Sequence, residues 1–553
     1  MDTINPLRFI ARLAAALLIL WLTQVVYRGL SARIRFRRMK AQGLPVPNPH
    51  SFLFGHIPLM KSLKEGLPKD AHETYYYRKL TRNWRDYFPH EKERCPPVIY
   101  LDLWPLFSQP LILATSAEAC HQLTQQTPQP RHSLMVWAIT PVTGGKDLHS
   151  MDAATHRLWR SRLNPGFSPQ NILSQVPILL EEVGIFAEQL KSKAGPNGDF
   201  GDFFTLFDRS VALTFDIIMK SALGLHTKEQ TEGPSPVFHA FRHLITHIKL
   251  ENLWNKLARL RPSYRQDVAA NTKVLNDVLL PEIKSRLGAK GSRSKTVIDL
   301  AVRQSREEAV EKPLEQSGDF IDVALSQLKL FMLAGHDTTG QMMCWLFYEL
   351  SREPAVLARL RAEHDDILGP DPDMAAQVVS DQPHKLNALS FTSAVIKETL
   401  RLHPIASTYR RGTATFGIEY EGTTYPAGNC MVITSPAAVH LRPDLWPRAN
   451  EFLPERFLVA EDHPLRPVKH AWRPFELGST RCIGEELAMV ELKLALVLTM
   501  RELDFDFDYE LWHELHHKTG TLDSVNGEHI YRVGNGMGSP KDNMPTRVKR
   551  RGS

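Results

Sequence analysis

Cysteine is scarce in this chain of 553 residues: there are five, Cys95, Cys120, Cys344, Cys430 and Cys482. Their number is odd, they lie far apart and no two stand in a C-x-x-C spacing, which argues against a disulfide framework and against a structural zinc site. No N-x-S/T acceptor occurs, unexpected in a long secreted chain. No G-x-G-x-x-G fingerprint is present, so a fused flavin or nicotinamide domain is not expected. No basic stretch is interleaved with aromatics, and nucleic acid is not an expected partner. Internal repeats and low-complexity tracts are also missing. What remains, with 43% hydrophobic and 23% charged residues and a net charge of +6, is enough apolar side chain for a large core.

One long hydrophobic run is present. Residues 9 to 27, FIARLAAALLILWLTQVVY, are long enough as a helix to cross the roughly 30 Å of a bilayer's hydrocarbon. Arg28, Arg33, Arg35, Arg37, Arg38 and Lys40 follow, with no small-residue cleavage site. The expected reading is a retained single-pass anchor over 1–28, with the positive flank and the rest of the chain in the cytosol. Pro45, Pro47 and Pro49 then favour extended backbone, and 29–50 reads as a stiff basic and proline-rich linker. The remainder, 51–553, reads as one large, mainly helical domain with short strands near its ends. GPSP at 233 to 236 and GAKGSRSK at 288 to 295 read as surface loops.

The most informative stretch is RPFELGSTRCIGEELAMVELKLAL, residues 473 to 496. After Gly484 it holds strong helix formers with acidic residues in the first turn, so Cys482 stands just before a helix N-terminus. Unpaired N–H groups and the helix dipole there favour a thiolate. A thiolate serves as nucleophile, redox centre or metal ligand. Nothing nominates a histidine base for it, and no resolving cysteine is near. A single-sulfur metal site remains, and haem iron is the metal whose other equatorial ligands come from a macrocycle. Gly478 and Gly484 would let backbone approach a flat ring, and Phe475 would cover the sulfur.

Phe475, Gly478, Cys482 and Gly484, in the pattern F-x-x-G-x-x-x-C-x-G, resemble the haem-binding loop of the cytochrome P450 family, the haem-thiolate monooxygenases. The family usually has arginine two residues before the cysteine; Thr480 stands there, with Arg481 next to it. Upstream, AGHDTT at 334 to 339 lies in a long helical pattern over 319 to 354. Gly335 interrupts it at a cost of about 0.5–1 kcal/mol relative to alanine, which suggests a close approach or a local opening of the helix. The resemblance makes Asp337 and Thr338 the acid and alcohol of the oxygen-activation motif, catalytic residues that deliver protons.

Glu398 and Arg401 in KETLRLHP share a helix face, and FLPERF at 452 to 457 supplies Arg456. The resemblance implies that these three form a buried ion network with a structural role. His156 and Arg160 lie four apart on an expected helix, and the resemblance implies that both face a haem propionate; a solvated basic helix face is the alternative. Arg411, ten residues after Arg401, resembles a further propionate ligand, with Arg410 as its rival.

The implied fold is the mainly α, triangular helical prism of the family, with a small β-rich lobe. The implied cofactor is haem b, with Cys482 as axial thiolate. The implied partners are a membrane-bound NADPH–cytochrome P450 reductase, cytochrome b5, the endoplasmic reticulum membrane and a lipophilic small molecule. Arg466, Lys469, Arg473 and Arg481 are expected to form the basic face that meets the reductase. Leu134, Met135, Trp137, Phe331, Ile405 and Thr408 are the expected pocket lining. The C-terminal region resembles fungal enzymes of natural-product pathways, which makes a secondary-metabolite intermediate the expected substrate for hydroxylation or epoxidation. A haem-thiolate isomerase or dehydratase needing no external electrons and a non-catalytic, membrane-tethered haem binder are the rival readings.

Overall fold

The computed structural model describes residues 6–89, 93–249, 253–288, 295–308, 318–516 and 522–552. Most of the loop expected at 288 to 295 lies outside them.

Helix α1 (Pro6–Ala41) continues well past the apolar run that starts it. From Phe9 to Arg28 almost every side chain is exposed, and Phe9–Ala41 is long and apolar enough to cross a membrane. Beyond that the burial pattern changes. Gly29, Arg33, Phe36 and Met39 are buried at spacings of three and four, a stripe along one helix face. Gly29 lies against the Trp104 ring, where an added Cβ would come within 2.7 Å. Arg33 forms a buried ion pair with Asp102 and donates to Trp104 O at 3.0 Å. The basic segment after the apolar run is thus helical and docked on the domain, and one of its cations is spent inside.

The rest is mainly helical around one large apolar core. Helices α2 (Ser133–Thr143), α3 (Ala153–Leu163), α4 (Pro169–Lys191), α5 (Leu206–Leu223), α6 (Pro236–Ile245) and α7 (Pro262–Gly288) precede the long central α8 (Gly318–Arg352). Side chains on α5 are buried almost throughout, because it packs along α8. Then follow α9 (Ser390–Leu402), which carries Glu398 and Arg401, and α10 (Glu485–Thr499) behind the cysteine.

The main sheet has the order β1-β2-β4-β3, from β1 (Val98–Leu101), β2 (Leu111–Ala114), β3 (Thr408–Arg411) and β4 (Met431–Thr434). Only β2 and β4 run parallel; β3 pairs antiparallel with β4, Arg410 opposite Val432 and Arg411 opposite Met431. Strand alternation therefore puts Thr408 and Arg410 on one face and Tyr409 and Arg411 on the other.

Candidate active site

The long helix α8 supplies the acid and the alcohol. An added Cβ on Gly335 would come 3.0–3.3 Å from Ile218 of α5, and one on Gly340 3.2–3.3 Å from the Ser210 backbone. Gly335 is therefore a close-approach glycine that lets α5 lie against α8. In the same turn, Thr214 Oγ1 donates to His336 O at 2.8 Å and Thr338 Oγ1 to Ala334 O at 2.6 Å. Hydroxyls thus take up carbonyls of the helix ladder just where the polar cluster sits.

Asp337 is buried, yet it is tied to solvent. Its Oδ1 accepts from Arg242 Nη1 at 2.8 Å, and the Arg242 side chain, on α6, is 39% exposed. His336 Nε2 lies 3.2 Å from the same oxygen. Burial holds the imidazole below its ordinary pKa despite that carboxylate, so His336 is neutral at pH 7. Arg242 carried no signal in the sequence: it is one basic residue in an amphipathic helix, 95 positions from its partner.

The cysteine loop is shaped by its own backbone. Cys482 N donates to Phe475 O at 2.9 Å and Arg481 N to Gly478 O at 3.0 Å. Gly478 has φ +91°, and a Cβ there would lie 2.0 Å from Thr124 O, so no other residue fits. Gly484 is less constrained: the nearest atom to an added Cβ is the Cys482 sulfur at 4.0 Å. Phe475 is half-buried and packs edge-on to Trp472.

Cys482 is solvent-accessible, yet enough protein surrounds it to desolvate the thiol. Ala334 is exposed in the middle of the otherwise buried α8, so that helix also lines open space. Burial pushes the Cys482 thiol up; the Gly484 N–H, Arg160 and Arg481 oppose this, Glu485 adds to it, and the net shift is upward. Burial therefore opposes the ionisation that the helix terminus favours, and a cation bound at the sulfur would favour it.

Around the loop the protein gathers positive charge. Arg160 of α3 donates to Arg481 O at 2.8 Å, and Arg410 of β3 donates to Thr480 Oγ1 at 2.6 Å. His156 is buried, and its pKa is pushed down to about 4 by burial and then by Arg131, Arg160 and Arg410. Arg131 is itself pushed down to about 10 by burial and Arg410. His156 Nε2 and Arg410 Nε are buried and have no hydrogen-bond partner among the described residues. Cations that depress one another, with polar atoms left over, fit a doubly anionic ligand such as the two propionates of a porphyrin. With an accessible sulfur on the same loop, the donor set fits haem.

Two expectations need correction here. Arg411 is exposed on the outer face of β3, and Arg410 is the strand residue that turns to the cysteine loop. Arg473, expected on the reductase-facing surface, is 1% exposed, paired with Glu476 and bonded to Thr124 Oγ1 at 3.0 Å. Several expected pocket residues are also engaged elsewhere. Leu134 and Ile405 sit in core clusters, Phe331 packs edge-on to Phe167, and Thr408 Oγ1 donates to Glu476 at 2.9 Å. Met135 and Trp137 remain partly accessible, the latter under the guanidinium of Arg259.

Behind the site, Glu398 binds Arg401 through two contacts of 2.7 and 2.8 Å and Arg456 through one of 3.1 Å, with all three side chains 0% exposed. Arg401 also donates to the carbonyls of His440, Ala449 and Glu451. The network ties α9 to the segment leading into the cysteine loop.

The cytochrome P450 family model matches residues 100–522. The chain is 34% identical over 530 residues to the cytochrome P450 monooxygenase polC of Polytolypa hystricis, covering 94% of this chain and 91% of that one. It is 29% identical over 508 residues to the cytochrome P450 monooxygenase acrF of Aspergillus aculeatus, covering 87% and 98%. The crystal structure of the cytochrome P450DA heme domain superposes with a TM-score of 0.66 at 20% identity, over 92% of this chain and 96% of that one, which speaks for the fold. A sulfur at the rim of a cationic cradle, in a chain matched by this family over most of its length, makes the protein a member of the cytochrome P450 family, a haem-binding monooxygenase.

Proposed function

We propose that the protein is a membrane-anchored enzyme that hydroxylates or epoxidises a lipophilic secondary-metabolite intermediate, facing the cytosol from the endoplasmic reticulum and drawing electrons from a separate NADPH reductase. The observation that carries the reading is the pairing of an accessible Cys482 with the Asp337–Thr338 turn on the helix that packs against α10. An isomerase or a passive haem carrier has no use for a buried acid linked to solvent.

Haem, when bound through Cys482, supplies the site that takes up dioxygen and electrons. His156, Arg160, Arg410 and Arg131 are the residues that would hold its acidic edge. Asp337 holds and passes protons, and the partly exposed Arg242 that donates to its carboxylate links it to solvent. Thr338, whose hydroxyl hydrogen is engaged by Ala334 O, keeps its lone pairs free to accept a proton donor. The exposed apolar stretch of α1 supports the anchor, and its docked stripe would hold the domain close to a bilayer surface. Relatives from fungi, named as monooxygenases, support the reaction type.

Lys469 and Arg481, exposed near the cysteine loop, stay as the reductase-facing cations; Arg481 is paired with Glu485 on the surface. Reversing Lys469 to glutamate should raise the Michaelis constant for the reductase at low salt. An unchanged constant would remove this face. The decisive experiment combines the carbon monoxide difference spectrum of the reduced protein with product analysis under labelled dioxygen, reductase and NADPH. Label in the product supports the reading; product without label or electron demand identifies an isomerase.

A further inference from the structure

The geometry points to a divalent transition-metal site, independent of the haem, made by His243, His247 and Asp267 at the corner where α6 meets α7. His243 lies in the last turn of α6 and His247 four residues on, just past its end. Asp267 lies in the first turns of α7. The two imidazoles turn the same nitrogen the same way: His243 Nε2 is 2.9 Å and His247 Nε2 2.7 Å from Asp267 Oδ2. Their rings meet edge to face, with centroids 5.5 Å apart.

Three donor atoms, one from each residue, lie within 4.8 Å of one another. Around a tetrahedral ion with bonds of about 2.1 Å they would lie roughly 3.4 Å apart, so the carboxylate needs to retreat by roughly 0.5 to 0.7 Å and the ligands can then converge. Its position is supported from the other side, since Asn271 Nδ2 donates to Asp267 Oδ1 at 3.2 Å. Tyr264 stacks edge-on to His247 at 4.8 Å and limits its rotation. Each imidazole would give its Nε2 lone pair to the metal, with Nδ1 as the protonated ring nitrogen. Two imidazoles and a carboxylate suit Zn²⁺, Ni²⁺ or Cu²⁺ better than Mg²⁺ or Ca²⁺. With three protein ligands, at least one position stays open to water.

The corner is well placed to matter. The residue beside His243 is Arg242, which holds Asp337. An ion here would tie the end of that helix to α7.

The test uses the full-length, haem-loaded protein without a histidine tag, stripped with chelator and dialysed against micromolar zinc, with metal counted per haem. About one tightly held zinc per haem is expected. His247→Ala and Asp267→Asn should weaken it more than the roughly 10- to 100-fold typical of residues that only support a ligand. Asp267→Cys should keep it, because a thiolate is a zinc ligand. The carbon monoxide difference spectrum checks that each variant is folded. Zinc uptake equal in the wild type, His247→Ala and Asp267→Asn would overturn the assignment. So would zinc retained in Asp267→Asn and lost in Asp267→Cys, because Asp267 would then not be a ligand. A wild type that holds no zinc would overturn it outright.

Discussion

Arg410 Nη2 donates to Thr480 Oγ1 at 2.6 Å, joining strand β3 to the residue two before Cys482 across 70 positions of sequence. Where the family usually places an arginine on the loop, this chain has a short hydroxyl, and the guanidinium comes from the sheet. Arg410→Gln should therefore lose haem. A charge-assisted hydrogen bond contributes about 1.5–3 kcal/mol, so affinity should fall roughly 10- to 150-fold. Arg411→Gln, on the outer face, should change nothing. Thr480→Arg should also release haem, because a second guanidinium would crowd Arg410. Haem per protein after gel filtration measures all three, and equal retention in Arg410→Gln and Arg411→Gln would defeat the assignment.

The pair Arg242 and Asp337 makes a kinetic prediction. Asp337→Asn keeps the size of the side chain and removes the proton carrier, so turnover should fall by about 10²-fold or more while the haem spectrum stays intact. Arg242 is partly exposed, so its charge is screened. Arg242→Gln should cost at most about fivefold, in kcat rather than in KM. Turnover at saturating reductase, measured in water and in heavy water, separates slow protons from slow electrons. An Asp337→Asn enzyme with normal kcat would remove Asp337 from proton delivery.

How far these features could be read beforehand depended on whether their parts are contiguous. The cysteine loop and AGHDTT are short strings whose spacing survives folding, and Glu398 with Arg401 sits on one helix face. The long helix read over 319 to 354 spans Gly318–Arg352, and the one read from 485 spans Glu485–Thr499. Arg411 against Arg410 was a question of strand parity, and one residue of slippage exchanges the two faces. Arg473 looks like a surface charge until Thr124 and Glu476 close over it. Arg33 looks like membrane-flanking charge until Asp102, 69 positions away, pairs with it. Sequence patterning reports which residues are polar; it does not report which polar residues find distant partners.

The Glu398 network should be intolerant of partial loss. Its carboxylate faces two buried guanidiniums, and removing one partner of such a set costs about 3–5 kcal/mol because charge is left unpaired in the interior. Glu398→Gln keeps the shape, and the unfolding free energy of the haem protein, from its urea midpoint and slope, should still drop by that amount. Replacing Glu455, an exposed neighbour that pairs with Arg359 on the surface, should cost less than about 1 kcal/mol. Similar midpoints for the two variants would mean that the network is not what holds the loop.

Acid should unfold the protein through two histidines outside the site. His56 accepts from Asp102 N at 2.7 Å through Nδ1 and has Pro47 O 3.0 Å from Nε2; His72 accepts from Thr74 N at 3.2 Å through Nδ1 and has Gly536 O 2.9 Å from Nε2. Each ring uses one nitrogen as acceptor and the other as donor, which only the neutral imidazole can do. Burial, then the neighbouring His50 for one and Arg532 for the other, pushes both pKa values down to about 3. The unfolded chain protonates these rings near pH 6.5, so between pH 6.5 and 3 it binds more protons than the native state. Stability is therefore full above pH 6.5 and falls as pH drops through that window, by about 2 kcal/mol per histidine at pH 5. His72→Gln can replace one donor and one acceptor without titrating. It should flatten the slope of unfolding free energy between pH 6 and 4 by about 1.4 kcal/mol per pH unit, measured from urea midpoints. An unchanged slope would show that His72 takes its proton in the native state.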